Sequence, residues 1–156
     1  MLKKLCKKIC PKKSTREIVI VFPFDIESKR LLIIDEYIHH YQKSFWKYVS
    51  GGIDKENTDI KTHAVEELAE EMKMGAASWH HIYTAEKIFG NRGSHFYIAE
   101  NPYLLDHPPE NPDVDEIIGS RWVNYTEFVE MIDRQELLWD QATMVALQVF
   151  RRYQDN

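Results

Sequence analysis

The stretch that most limits how this chain can fold runs from Gly51-Gly52 to Glu71. A double glycine reads as a turn, and Thr58 and Asp59 shortly after it are both good helix N-caps. Ile60, Ala64, Leu68 and Met72 then recur every four residues, the stripe of a helix that buries one face. Glu67, Glu70 and Glu71 lie beside that stripe at spacings of three and four, so their carboxylates converge. Burial of the stripe fixes their aim. Like charges this close repel, and a divalent cation relieves the repulsion. Carboxylate oxygens, completed by water and substrate phosphates, are what magnesium prefers. The competing reading is a solvated acidic face with no ligand.

Strand signals surround this helix. Ile18, Val19, Ile20 and Val21 form a continuous apolar run, as expected of a strand buried on both faces. Strands are predicted from Ile18 to Phe24 and from Arg30 to Tyr37, joined by a turn at Asp25-Ile26-Glu27-Ser28-Lys29. Phe45 to Gly52 reads as one strand entering the glycine turn. Gly90, Asn91, Arg92 and Gly93 form a turn before a strand at His95. Asn101 to Pro112 carries four prolines and is predicted as a long loop over a site. A final helix is expected from about Thr143 to Tyr153.

Composition narrows the class. An apolar fraction of 44% and a charged fraction of 29% suit a single soluble globular domain at 156 residues. No apolar run reaches the length of a membrane span. The two cysteines, Cys6 and Cys10, sit in one short segment and make no disulfide framework, so a reducing, cytoplasmic setting is expected. Residues 1 to 16 hold seven Lys or Arg and no acid. The rest, with 13 basic and 25 acidic residues, carries a net charge of −12. So acidic a body argues against nucleic acid as partner, since phosphate contacts need a basic face.

The basic start is read as a segment apart, residues 1–16, ahead of a domain spanning 17–156. In residues 1–10, Leu2, Leu5, Cys6 and Ile9 share one helical face and four lysines the other. It is either a short helix lying on an anionic membrane surface or a solvated terminus or helix docked on the acidic body.

The stretch from Gly52 to Met74 resembles the Nudix box, G-x5-E-x7-R-E-U-x-E-E-x-G-U, with U bulky and apolar. Gly52 takes the first glycine, Glu67-Leu68-Ala69-Glu70-Glu71 takes E-U-x-E-E, and Met74 takes the last apolar place. Thr58, Glu66 and Lys73 depart from the Glu, Arg and Gly of the pattern. The flanks resemble ADP-ribose and ADP-sugar pyrophosphatases. Phe45 to Gly52 is similar to their tryptophan-containing strand, Asp35-Glu36-Tyr37 to a Gln-Tyr-Arg segment, and His95 to Glu100 to their next core strand. Asp113 to Ile118 is similar to their acidic loop, and Asp140 to Leu147 to their closing helix.

The resemblance implies an α/β fold, an α/β/α sandwich with a mixed β-sheet. It implies hydrolysis of a nucleoside diphosphate linked to another moiety, an ADP-sugar-like substrate. It implies Mg2+ or Mn2+ held by Glu67, Glu71 and Glu70 with a backbone carbonyl near Gly51. A general base is implied in the acidic loop, where Asp115 and Glu116 are the candidates; the alternative is that they are plain loop acids. Tyr37, Phe45 and Trp46 are candidates to stack on base or sugar, and Arg92 to pair with phosphate or ribose; the aromatics can equally be core or interface residues. His63, one turn before Glu67, either binds metal or phosphate or is a hydrogen-bonded neighbour. Loss of both the first Glu and the Arg suggests a rewired support, with Asp59 or Glu56 replacing the acid, Lys73 offsetting Glu66, and Gly75 capping the helix. Similar pyrophosphatases are often homodimers that share the substrate site, and exchange of the strands at Ile18 to Tyr37 is one arrangement open to this chain; its oligomeric state stays open. A second reading is a non-catalytic domain that binds a nucleotide or a protein partner.

Overall fold

The computed structural model describes residues 17–53, 58–86, 93–111 and 116–154. The basic segment 1–16, Arg92, Asp115 and Glu56 lie outside the described residues.

Apolar strands and two amphipathic helical faces give a three-layer architecture. The strands are β1 (Ile18–Asp25), β2 (Arg30–Ile38), β3 (Lys43–Lys47), β4 (Val49–Gly52), β5 (Met74–Ala85), β6 (Ser94–Leu104) and β7 (Ile117–Val123). The helices are α1 (Ile60–Met72), α2 (Tyr125–Asp133) and α3 (Asp140–Gln154). The sheet order is β3-β2-β1-β6-β5, with β4 added to β1 and β7 to β2. β1 and β6 are parallel and the other pairs antiparallel, so the sheet is mixed.

β1 organises the rest because both its faces are buried. Val19 and Val21 join Ile34, Val49 and Ala99 under Ala64 and Leu68 of α1. Ile20, Phe22 and Phe24 point the other way, into a core closed by Phe128 and Met131 of α2 and Ala146, Val149 and Phe150 of α3. Side chains alternate along a strand, which is how one apolar run serves two cores. Each fully buried Leu, Ile or Phe contributes about 1.5–3 kcal/mol. Phe22 stands edge-on to Tyr48 at 5.2 Å and stacks near Phe96 at 6.1 Å.

The sheet branches beside β1. Ile18 to Val21 pairs with Gly52 to Val49 of β4, while only Phe24 and Asp25 pair with Leu31 and Arg30 of β2. The stretch from Phe45 to Gly52 is therefore two strands, not one. Lys47 ends the first on β2, and Val49 begins the second on β1.

Four local expectations differ from the structure. Lys73, not Gly75, caps α1: it is left-handed (φ 60°), and its N–H donates to Ala69 O at 3.1 Å. Gly75 lies in β5, where a Cβ would meet the Tyr103 ring at 2.9 Å, so close packing explains that glycine. Asn101 to Leu104 is strand rather than loop. Asn101 turns left-handed (φ 48°), accepts Ile26 N–H at 3.1 Å, and lets β6 go on pairing with β5. α3 begins at Asp140, one turn early, and α2 is a further helix, started by a capping box between Asn124 and Glu127 at 2.9 Å each way.

Candidate metal centre

Asp59 starts the helix that carries the carboxylates. Its side chain accepts Lys61 N–H at 2.9 Å and Thr62 Oγ1–H at 2.7 Å, and these bonds hold its carboxyl below the usual range. Asp59 is thus committed to capping rather than to replacing the acid of the box. Ala64 and Leu68 are fully buried, and Ile60 and Met72 pack at the ends of the same stripe. The stripe presses α1 onto β1 and β4, and this sets where Glu67 and Glu71 go.

Both reach β4. The Glu67 carboxylate lies in the space a Cβ on Gly51 would need: that atom would come within 2.0 Å of Glu67 Cδ and Oε1. Only glycine permits this approach. One turn on, Glu71 Oε2 accepts the Ser50 N–H at 3.2 Å. Burial pushes the Glu71 carboxyl up to about 8. Lys47 pulls it down, Glu67 pushes it up, the Ser50 bond lowers it, and Glu36 raises it. Burial is therefore the chief reason this carboxyl resists ionisation.

Lys47 and Glu36 belong to the same cluster. Lys47 is buried and forms an ion pair with half-buried Glu36, and the Trp139 ring lies 5.2 Å from its Nζ. Neither residue stands out in the sequence, because Glu36 lies on β2 and Lys47 on β3 and they meet only through the strand pairing. The Lys73 ammonium donates to Glu70 O at 3.0 Å and to Pro109 O.

The other expected site residues spread out. Glu70 is half-buried on α1. Among the described residues, no group of three or more His, Cys, Asp and Glu is arranged to hold a metal ion. Glu116 sits beside β2, its carbonyl accepting Tyr37 N–H at 2.7 Å, next along from Glu36. Phe45 is opposite Glu36 in the β2–β3 ladder and so shares its face. Trp46 packs instead against the core under α2 and α3. Tyr37 meets His39 edge-on at 5.1 Å. His63 is buried at 3% exposure, and its Nε2 has no hydrogen-bond partner among the described residues.

The donor set fits a hard divalent cation. Two carboxylates converge on the backbone of β4, Glu67 at Gly51 and Glu71 at Ser50 N–H. Glu67 and Glu71 would hold such an ion.

No family model matches the sequence, and no curated protein matches it. Solved structures do. One, described as an ADP compounds hydrolase, has a TM-score of 0.66 at 20% identity, covering 88% of this chain and 72% of that one. Another, described as MutT from the fish pathogen Aliivibrio salmonicida and Vibrio cholerae, has a TM-score of 0.65 at 16% identity, covering 88% and 98%. At these identities the likeness shows the fold: the chain has the mixed α/β Nudix fold of these two hydrolases.

Proposed function

We propose that this chain is a divalent-metal-dependent pyrophosphohydrolase that cleaves a nucleoside diphosphate linked to another moiety, with an ADP-sugar-like compound as substrate. The observation that carries the reading is the seat of the Glu67 carboxylate on Gly51, with Glu71 anchored one turn on by Ser50 N–H. The fold shared with an ADP compounds hydrolase supports it.

In this reading Glu67 and Glu71 hold magnesium or manganese, with Glu70 assisting from the same helix and the Gly51 carbonyl beside them. The bound ion supplies neutralisation of phosphate oxygens and a lowered pKa for the attacking water. The chain's own groups do the rest. α1 aims the carboxylates, β4 gives them a close backbone seat, and Glu116, beside Glu36, is the described candidate to take the water's proton. Phe45, on the face of Glu36, is placed better than Trp46 to stack on the nucleotide. Arg92 and Asp115 keep their proposed roles in substrate binding and proton transfer.

A second reading, a nucleotide-binding domain without turnover, draws on the buried Lys47 that already occupies part of the acidic cluster. Phosphate-coupled turnover separates the two. A panel of ADP-ribose, ADP-sugars, GDP-mannose, dinucleoside polyphosphates and nucleoside triphosphates is assayed with magnesium and manganese. Turnover of a nucleoside diphosphate derivative supports the hydrolase and ranks its substrates. Metal binding with no turnover across the panel leaves the binder.

A further inference from the structure

We propose that residues 1–10 dock as a short helix in the apolar groove between α3 and the outer strand β5, folding the basic start of the chain back onto its acidic body. The packing of the layers leaves room for it. α3 lies over β1 and β6, while β5 is the last strand on that side of the sheet. Two cavities follow one another along this margin. The first, about 550 Å³, is lined by Ile18, Ile20, Phe96, Trp139, Asp140 and Ala142. The second, about 290 Å³, is lined by Ile82, Tyr83, Met144 and Val145. Gln141 borders both, so they form one groove. Its rim leaves large apolar side chains in water: Met144 is 60% exposed, Tyr83 48% and Trp139 37%. An uncovered apolar strip of this kind marks an interaction surface.

The point where the chain enters the sheet names the occupant. Ile18, the first residue of β1, lines the first cavity, so residues 1–16 lead into the mouth of the groove. In residues 1–10, Leu2, Leu5, Cys6 and Ile9 share one helical face. An amphipathic helix lays such a face into an apolar groove. The lengths agree: Leu2 to Ile9 spans about 11 Å of helix, and Asp140 to Gln148 about 12 Å of α3. Pro11 to Arg16 supplies up to about 20 Å of chain for the return. Ten residues are too short to be a stable helix alone, and burial of the apolar face offsets the cost of ordering them.

Charge favours the docking and sets its limit. Residues 1–16 hold seven Lys or Arg and no acid, against 13 basic and 25 acidic residues in the rest. Asp140 stands at the near end of the groove. Past Gln148 the next cavity is lined by Arg151 and Arg152, which repel the lysines. The segment therefore ends its run beside Tyr83 and Met144, with Lys3, Lys4, Lys7 and Lys8 turned to water.

Cys6 and Cys10 are the two cysteines of the chain, so Cys6 reports on the docked face without an added probe. The test is the rate at which a thiol reagent modifies Cys6 in the full chain, resolved from Cys10 by peptide mass, with and without phosphatidylserine vesicles. A peptide of residues 1–16 gives the unprotected rate. Without vesicles, Cys6 of the wild type should react at least about tenfold slower than in the peptide. Tyr83→Asp/Met144→Asp, at two exposed positions, should restore the fast rate in a chain that still melts cooperatively. Leu5→Asp/Ile9→Asp should release Cys6 equally and shift the Met144 methyl resonance, and this variant decides if the groove variant does not fold. A wild-type Cys6 as fast as the peptide would overturn the proposal. So would a slow Cys6 indifferent to the groove variant, or a Met144 methyl unmoved by Leu5→Asp/Ile9→Asp. Protection that appears only with vesicles would place the segment on a membrane surface and overturn it as well.

Discussion

Two carboxylates enclosed on opposite faces of one sheet behave in opposite ways. Glu71, on the α1 face, is pushed up to about 8 by burial, with Lys47 and one backbone N–H opposing two acidic neighbours. Glu100, on the α3 face, also feels burial. Even so, Ser78, Tyr153 and His80 bring it down to about 2, with His80 Nε2 at 2.9 Å. Two hydroxyl donors and the His80 ring converge on Glu100, and they tie α3 to β5 and β6. It is a completed structural joint. Glu71 accepts the Ser50 N–H at 3.2 Å, and burial outweighs that bond and the pull of Lys47. What separates a joint from a site here is whether the fold itself finishes the coordination of the buried charge.

The largest break in this contrast should come from Gly51→Ala. The added methyl occupies the seat of the Glu67 carboxylate, a flexible group that can move away, so the fold should persist. Turnover and metal affinity should fall by about a hundredfold, the upper range for disturbing a metal ligand's support. Enzyme assays beside a thermal melt check it; unchanged turnover would remove Glu67 from the site.

Glu100→Gln should do the reverse. Two hydroxyl donors and the His80 ring lose a charged partner, at a cost of about 1–3 kcal/mol in stability by denaturant unfolding, with turnover retained. Loss of turnover in a well-folded Glu100→Gln would collapse the distinction between the two faces.

The pH profiles should have opposite signs. Between the ordinary carboxylate range and about pH 8, folded metal-free protein keeps a proton on Glu71 that the unfolded chain releases. Stability from this group therefore falls as pH rises through that window. Glu100 stays ionised in the folded state down to about 2, so its contribution is full above the ordinary carboxylate range and is lost as pH falls toward 2. Melting in chelator from pH 3 to pH 9 with Glu71→Gln and Glu100→Gln should flatten the alkaline and acid limbs respectively. A swap of limbs would refute the assignment.

The smallest effect is expected at Tyr48→Phe. The Tyr48 hydroxyl shares a 2.7 Å hydrogen bond with Thr143 of α3, and Thr143 keeps a second bond to Trp139 O at 3.1 Å. Its removal should cost about 0.5–1.5 kcal/mol. Activity should not change, as for any residue on the structural face.

Sequence periodicity reached the α1 face further than the α3 face. The stripe Ile60, Ala64, Leu68, Met72 and the cap at Asp59 depend on neighbours within one helix, whereas the double glycine read as a turn is the end of β4, paired with β1, where Gly51 seats Glu67. Local spacing carries such features. Lys47 and Glu36 meet across two strands, and nothing local to either reveals the pairing. The Glu100 joint gathers residues from β5, β6 and α3 and was equally hidden. α2 was legible in principle through its Asn124–Glu127 box. Lys73 as cap was not, because a left-handed lysine persists only where tertiary packing compensates for its cost. The split of Phe45 to Gly52 into two strands likewise depends on which partners flank it.

The most direct test of the claim that the α1 face works and the α3 face holds is magnesium-dependent hydrolysis by wild type, Glu71→Gln and Glu100→Gln, measured side by side on nucleoside diphosphate derivatives. The predicted result is turnover in the wild type, a loss of about a hundredfold or more in Glu71→Gln, and wild-type turnover in folded Glu100→Gln. Equal turnover in wild type and Glu71→Gln, or none in the wild type with any substrate or metal, would contradict it.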